Sequence, residues 1–464
     1  MKTLQTSFLK SLLTLSLFIS PLSFAENALV VQAKTLQTGS PTVSINIDKA
    51  IQLFKQATEQ GDAEAYFLLS KYYSNSADYR FLPENSHLYK QLRLEAAQRG
   101  NFDAYLSLDL EAGIAEGFGI SNDIRQKLIK IRPQILKLAE QGDVEAIRTF
   151  VLALDQGTEN YSDEQCQWLY KAVQQGDLLW AGSSIQNCPE NILKKLGAKT
   201  KAAYEKDHKD SDLAHFQMLQ QRSNQGDIGA KIKLLENYAA DSYLSEKDIK
   251  QLENEVLTHY QKQASQGASD AYLMLALKKD ADKDKQNLYL KAAQLNNHVA
   301  LTELGSDYLW SDDEKQIDIN KGLIYLKQAA AQNDPDAINY LGVWYYNEEN
   351  EGYDEALAQK YFKQAAQLGS VNAMDNLARI EDEPEDYRWA VLAYENGSSE
   401  EDTQSKALEA YQTGKGTTKD PIKARNLKTY IQMRAQFNNN LGGLIESINN
   451  DTERTETESK NRKR

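Results

Sequence analysis

Ala300-Leu-Thr-Glu-Leu304-Gly305-Ser-Asp-Tyr308 and Ala337-Ile-Asn-Tyr-Leu341-Gly342-Val-Trp-Tyr345 carry one pattern 37 residues apart. In each, a leucine stands four places after an alanine and a tyrosine eight places after it, which puts all three on one stripe of an α-helix. Four residues before each alanine stands Asn296 or Asn333, and asparagine tolerates the left-handed backbone in which helices commonly end. The pattern therefore reads as the close of one helix, a tight turn and the opening of the next.

Working outward, the same arrangement recurs with glycine in place of asparagine. Copies stand at Ala57-Thr-Glu-Gln-Gly61-Asp-Ala-Glu-Ala65, Ala96-Ala-Gln-Arg-Gly100-Asn-Phe-Asp-Ala104, Ala139-Glu-Gln-Gly142-Asp-Val-Glu-Ala146 and Ala172-Val-Gln-Gln-Gly176. Further copies are Gly226 with Ala230, Gly267 with Ala271, Gly369 with Ala373, and a weaker tenth ending at Gly397. Four places after the alanines come Leu69, Leu108, Phe150, Leu234, Leu275, Leu304, Leu341 and Leu377. Gly61 and Gly397 lie 336 residues and nine intervals apart, about 37 residues per repeat, the period of a helical-hairpin solenoid.

The segment before each glycine is also amphipathic, as in Ala50-Ile51-Gln52-Leu53-Phe54 and Leu357-Ala358-Gln359-Lys360-Tyr361-Phe362. Asp334-Pro335 reads as an N-cap with proline at N1, and Ser162-Asp-Glu-Gln165 as a capping box. Only 8 prolines in 464 residues favour uninterrupted helices. The class is all-α.

At this point the series resembles Sel1-like repeats, the bacterial-style relatives of tetratricopeptide repeats. The resemblance rests on Ala-x3-Leu-Gly-x2-Tyr at 300–308 and 337–345, on Lys-x-Ala-Ala-x2-Gly, and on the linker Gly414-Lys-Gly416-Thr-Thr-Lys-Asp420-Pro-Ile-Lys423-Ala424. It covers roughly 48–430 and implies a right-handed superhelical solenoid of about ten antiparallel helix pairs. The family's Gly-x-Gly linker is missing from most copies. The 50-residue interval from Gly176 to Gly226 carries about 13 extra residues, and Trp180 stands where alanine is expected.

These features divide the chain into a signal peptide (1–25), an N-terminal arm (26–47), repeats (48–180), an irregular insertion (181–215), repeats (216–446) and a charged tail (447–464). The arm ends in an alternating stretch, Thr42-Val43-Ser44-Ile45-Asn46-Ile47. From Asn449 to the end the tail has no apolar residue and is expected to be disordered.

Lys2, an apolar run from Phe8 to Phe18 and the small-x-small ending Ser23-Phe24-Ala25 describe a secretory signal cleaved after Ala25. No cysteine near that site offers a lipid anchor. The expected location is the periplasm or beyond, without a stable membrane anchor. Cys166 and Cys188 are an even pair in an exported chain, which invites one disulfide. The formal charge of −14 argues against nucleic acid as a partner.

Catalytic motifs are absent. His87, His208, His215, His259 and His298 have no metal-ligand spacing, no Gly-x-Ser-x-Gly elbow appears, and Gly414-Lys415 lacks the rest of a phosphate-binding loop. No metal, cofactor or enzymatic activity is expected. Two features suggest binding surfaces. One is aromatic: Trp310, Tyr340, Trp344, Tyr345 and Tyr346, a group that either packs in the core or contacts a partner; Tyr345 belongs to the core stripe, Trp344 is partly core by its neighbour position, and Tyr340 should face outward. The other is acidic: Asp312-Asp313-Glu314, Glu348-Glu349, Glu381-Asp382-Glu383 with Glu385-Asp386, and Glu400-Glu401-Asp402, once per repeat between helices. The candidate contact residues are Trp310, Tyr340, Trp344, Tyr346, Glu348 and Glu349. The expected role is protein–protein interaction, with a basic protein favoured if the acidic loops take part. Narrower alternatives are an immunity protein neutralising a secreted antibacterial effector, and a scaffold for envelope or exopolysaccharide assembly.

Overall fold

In the computed structural model of the chain, the described residues are 26–74, 81–83, 85–117, 123–154, 161–240, 243–277, 282–311 and 316–435. The expected signal peptide with its cleavage site at Ala25, the loop Asp312-Asp313-Glu314 and the expected charged tail 447–464 lie outside them. The described residues hold helices and no strand. They open with α1 (Ala28–Thr38), α2 (Ile47–Glu59), α3 (Ala63–Lys71), α4 (Ser86–Gln98), α5 (Phe102–Gly117), α6 (Asp123–Glu140), α7 (Val144–Ala153) and α8 (Asp163–Gln174). Short helices α9 (Trp180–Ser184) and α10 (Glu190–Lys195) precede the long α11 (Lys201–Asn224). Then come α12 (Ile228–Tyr238), α13 (Glu246–Ser265), α14 (Ser269–Leu277), α15 (Asp282–Gln294), α16 (His298–Trp310), α17 (Ile319–Ala330), α18 (Pro335–Tyr346) and α19 (Glu355–Gln367). The series continues with α20 (Val371–Ile380), α21 (Glu385–Glu395) and α22 (Glu401–Thr413), and residues 421–435 are helical again.

Two compact units result: residues 1–109 with 124–370, and residues 110–123 with 371–464. Within the first, consecutive helices pack pairwise, most extensively α16 on α17 and α18 on α19, while α16 also touches α18. Within the second, α21 packs on both α20 and α22. This is solenoid packing, each helix pair resting on its neighbours.

The turn chemistry explains the repeat. Asn296 and Asn333 have φ of 60° and 61°, and among the described residues they are the two non-glycine residues with positive φ. The residue after each serves two helices at once. The N–H of Asn297 donates to the Ala292 carbonyl at 3.1 Å, closing α15, and its side chain accepts the Ala300 N–H at 3.1 Å, opening α16. Asp334 does the same between Ala329 (3.3 Å) and Ala337 (2.9 Å), and Asp62 between Ala57 (3.1 Å) and Ala65 (2.8 Å). This is Schellman closure followed at once by an N-cap. Further along, the carbonyls of Tyr308 and Tyr345 accept the N–H groups of Asp318 and Asp354, both at 2.9 Å. Those aspartates cap α17 and α19. Close packing follows from small residues: a Cβ on Gly342 would lie 2.7 Å from the Phe362 ring.

The irregular stretch holds α9, a 3-10 turn (Ile185–Asn187) and α10. Cys188 is bonded to Cys166 of α8 with Cα atoms 5.8 Å apart, and both cysteines are fully buried. Trp180, at the position of the missing alanine, packs edge-on to Phe102 at 5.0 Å.

At the N-terminal end, residues 28–38 are helical, and the chain then runs extended through 44–46 into α2. Its core neighbours are distant in sequence. Val30 to Leu92 and Val256 to Trp344 form one hydrophobic cluster. Gln263 Nε2 donates to the carbonyls of Ser40 (2.8 Å) and Val43 (3.3 Å), and its Oε1 accepts the Ile45 N–H at 3.4 Å. Asp270 Oδ2 accepts the Ile47 N–H at 2.7 Å, and His259 Nε2 lies 2.9 Å from the Thr38 carbonyl. Within the first unit the repeats thus meet far along the chain as well as side by side.

Candidate functional site

Helices α16 and α18 carry the aromatic residues singled out above. Both start on a side-chain cap, Asn297 and Asp334, and Pro335 at N1 presets the first turn of α18. Their apolar stripes are buried through Ala300, Leu304, Ala337 and Leu341, so residues off the stripe are held on rigid elements. Trp310 ends α16 with 40% of its surface exposed. Its ring centroid lies 5.5 Å from that of the half-buried Tyr340 on α18. Tyr346 ends α18, also 40% exposed, with its ring edge-on to Phe362 at 6.4 Å. Glu348 and Glu349 follow in an exposed turn, where the Glu349 N–H donates to Asn347 Oδ1 at 3.0 Å.

Trp344 is a correction. It is 5% exposed and belongs to the hydrophobic core, so it is not available as a contact. It stands seven places after Ala337, which returns it to the buried stripe after two helical turns. Tyr345 stacks on Tyr361 at 5.7 Å. The structure brings Trp310 and Tyr340 together and sets Tyr346 on Phe362. Of the acidic residues, Asp386 is buried and pairs with Lys406 at 2.9 Å, and Lys415 pairs with Glu383 at 3.5 Å.

A polar cleft of about 260 Å³, missed in the sequence, lies beside the N-terminal segment. Ser44, Asn46 and Asp48 line it together with Gln266, Asp270 and His298. His298 Nδ1 is 2.6 Å from Asp334 Oδ2 and its Nε2 is 3.4 Å from Asp48 Oδ1. Burial opposes charge on the imidazole, but the flanking carboxylates of Asp334 and Asp48 outweigh it and push the pKa up to about 10. Burial also raises the Asp270 carboxyl, against the Ile47 N–H that favours its charged form. A histidine charged at neutral pH, with both ring nitrogens committed to carboxylates, is an ion-pair hub and a poor general base. Among the described residues no group of three or more His, Cys, Asp or Glu is arranged to hold a metal ion.

Four stretches of the chain, 33–62, 298–334, 335–370 and 407–427, match the Sel1 repeat. These stretches of the chain are Sel1 repeats. No curated protein matches it in sequence. Among solved structures it is similar to a protective antigen of uropathogenic Escherichia coli strains displaying an SLR fold. That similarity has 19% identity and a TM-score of 0.34, and covers 88% of this chain and 86% of the antigen. It is also similar to a Sel1 repeat protein from Oxalobacter formigenes (16% identity, TM-score 0.35, covering 92% and 99%). A third similarity is to an immunity protein from Pseudomonas aeruginosa (16% identity, TM-score 0.25, covering 63% and 82%).

Proposed function

We propose that this chain is an exported, non-enzymatic repeat protein that works by binding other proteins, with Trp310, Tyr340 and Tyr346 as anchors and Glu348 and Glu349 flanking them. The observation that carries this reading is the exposure of Trp310 and Tyr346, 40% each, at the ends of two helices whose other faces are buried. Large aromatics held rigidly at a surface lose little conformational entropy on binding and bury much area, which makes them characteristic interface anchors. The acidic loop contributes chiefly to the rate and selectivity of association with a basic partner. The signal-like N-terminus and the Cys166–Cys188 pair suit an oxidising compartment. Among the described residues no helix is long and apolar enough to cross a membrane.

The test is crosslinked pull-down from cells of the tagged full chain against a Trp310→Ala/Tyr346→Ala variant. The reading expects specific partners that the double variant loses while keeping its helical content. An unchanged partner set contradicts it. A single stoichiometric basic toxin that the chain neutralises would narrow the role to immunity; several envelope-assembly components would narrow it to a scaffold.

A further inference from the structure

One linker geometry recurs within the first unit. The N–H of the residue capping the second helix of a pair donates to a carbonyl near the end of the first helix. Asn46 donates to Leu36 at 3.0 Å, and Asp318 to Tyr308 and Asp354 to Tyr345 both at 2.9 Å. The same three residues are the N-caps of α2, α17 and α19. The residue before the cap therefore holds one register position, and it is Ile45, Ile317 or Tyr353. In the first copy that position is covered. Ile45 is 4% exposed and shares a hydrophobic cluster with Ala264 and Ala268, which flank the turn from α13 to α14. Its N–H donates to Gln263 Oε1 at 3.4 Å. Gln263 stands four places before the turn glycine, where Ala57, Ala96, Ala172 and Ala365 stand in other copies.

After α16 and α18 the same position is open to solvent: Ile317 and Tyr353 are 40% and 41% exposed. Their helix pairs are adjacent in the stack, since α17 packs on α18 and α16 also touches α18. The two side chains thus stand one repeat apart on the same edge. The Tyr353 phenol is held above its ordinary pKa first by partial desolvation, then by Glu355, Glu348 and Tyr346, which sets it within electrostatic reach of the exposed Tyr346. The surroundings are acidic. Between Lys327 and Lys360 the sequence holds seven Asp and Glu and no Lys, Arg or His, and Glu348, Glu349, Glu351 and Glu355 are exposed. A second copy of this chain would set like charges against each other there, whereas a basic surface complements them.

We propose that the edge formed by Ile317, Tyr346 and Tyr353 docks a basic helical protein. A turn between two of its helices covers Ile317 and Tyr353 as the α13–α14 turn covers Ile45. This rests on the protein-binding reading above and adds to it the docking residues and the class of partner.

The experiment places a photo-crosslinking side chain at position 317 or 353 of the full chain, illuminates living cells and maps the crosslinked residues by mass spectrometry. The captured protein is then purified and titrated against the full chain. Both positions should give the same protein, joined at a turn between two helices on a surface rich in Lys and Arg. Ile317→Ser/Tyr353→Ser weakens its binding by about tenfold or more, and added salt weakens binding to the wild-type chain. Ile422→Ser, at an exposed isoleucine of the second unit, leaves binding unchanged. Ile45→Ser lowers the melting temperature while Ile317→Ser and Tyr353→Ser do not, because only the first removes a buried apolar side chain. The proposal is overturned by no adduct from either position, by an adduct between two copies of this chain, or by capture through an acidic or non-helical surface. Unchanged affinity in Ile317→Ser/Tyr353→Ser, or a melting-temperature loss there equal to that of Ile45→Ser, also overturns it. If Trp310→Ala/Tyr346→Ala abolishes capture while Ile317→Ser/Tyr353→Ser does not, this docking mode fails and the protein-binding reading stands. Capture unchanged in both double variants removes both.

Discussion

Asp270 accepts the main-chain N–H of Ile47 at 2.7 Å although 223 residues separate them. The same carboxylate accepts Asn297 Nδ2 at 2.7 Å, and Asn297 caps α16. One buried side chain therefore ties the N-terminal segment to the start of the helix that ends in Trp310. In an open array each repeat touches only its neighbours and stability is nearly a sum of local terms. This bond makes the first unit more cooperative than that.

Asp270→Ala leaves two buried donors without their acceptor, a penalty of about 1–3 kcal/mol for each donor left unsatisfied. Denaturation followed by helical ellipticity should show a loss of at least 1–3 kcal/mol on that scale, with Asp270→Asn, which keeps an acceptor, losing less. An unchanged midpoint for Asp270→Ala would show that the long-range bond contributes nothing.

The His298 ion pairs predict a pH dependence. Its folded pKa of about 10 lies above the ordinary value of 6.5, so the folded chain holds the proton more tightly than the unfolded one. The stabilisation is complete below about pH 6.5 and is lost as pH rises through about 10. The groups facing it are Asp48, Asp334 and Asp270. Melting temperature should therefore fall more between pH 7 and about pH 10 in wild type than in His298→Gln. Parallel curves would contradict this.

Cys166 and Cys188 close a loop of 22 residues, which stabilises by about 3 kcal/mol in the chain-entropy account. Thiol labelling of the unfolded, unreduced chain should find no free thiol. Cys166→Ala/Cys188→Ala should lower stability by about that amount. Two labelled cysteines would remove the bond from the account.

Trp344 and Trp310 should separate cleanly. Trp344→Ala opens a core cavity and should cost about 3–5 kcal/mol. Trp310→Ala should stay within about 1 kcal/mol of wild type, as surface changes usually do. Comparable losses for both would place Trp310 in the core.

How much of this was legible follows from range. Asn296 and Asn333 were readable as left-handed turn residues, and Asp334 as a cap, because their partners lie within five residues and recur with the repeat. Trp344 was misassigned as a contact although its i+7 spacing from Ala337 pointed inward. The docking of residues 40–47 left two traces, the alternation of Val43, Ile45 and Ile47 and the replacement of a repeat alanine by Gln263. Neither names its partner, since periodicity encodes contacts between adjacent helices and is silent on contacts 220 residues apart. The His298 cleft was unreadable for the same reason: Asp48 and Asp334 meet only in the folded unit.

The most direct test of the proposed binding surface is a photo-crosslinking side chain placed in the full chain at position 310 or 346, with position 324 on α17, where Ile324 is exposed, as the comparison. Illumination in living cells should give the same discrete protein adduct from 310 and 346 and none from 324. Adducts from 324 alone, with none from 310 or 346, would contradict the assignment of the aromatic residues as the partner surface.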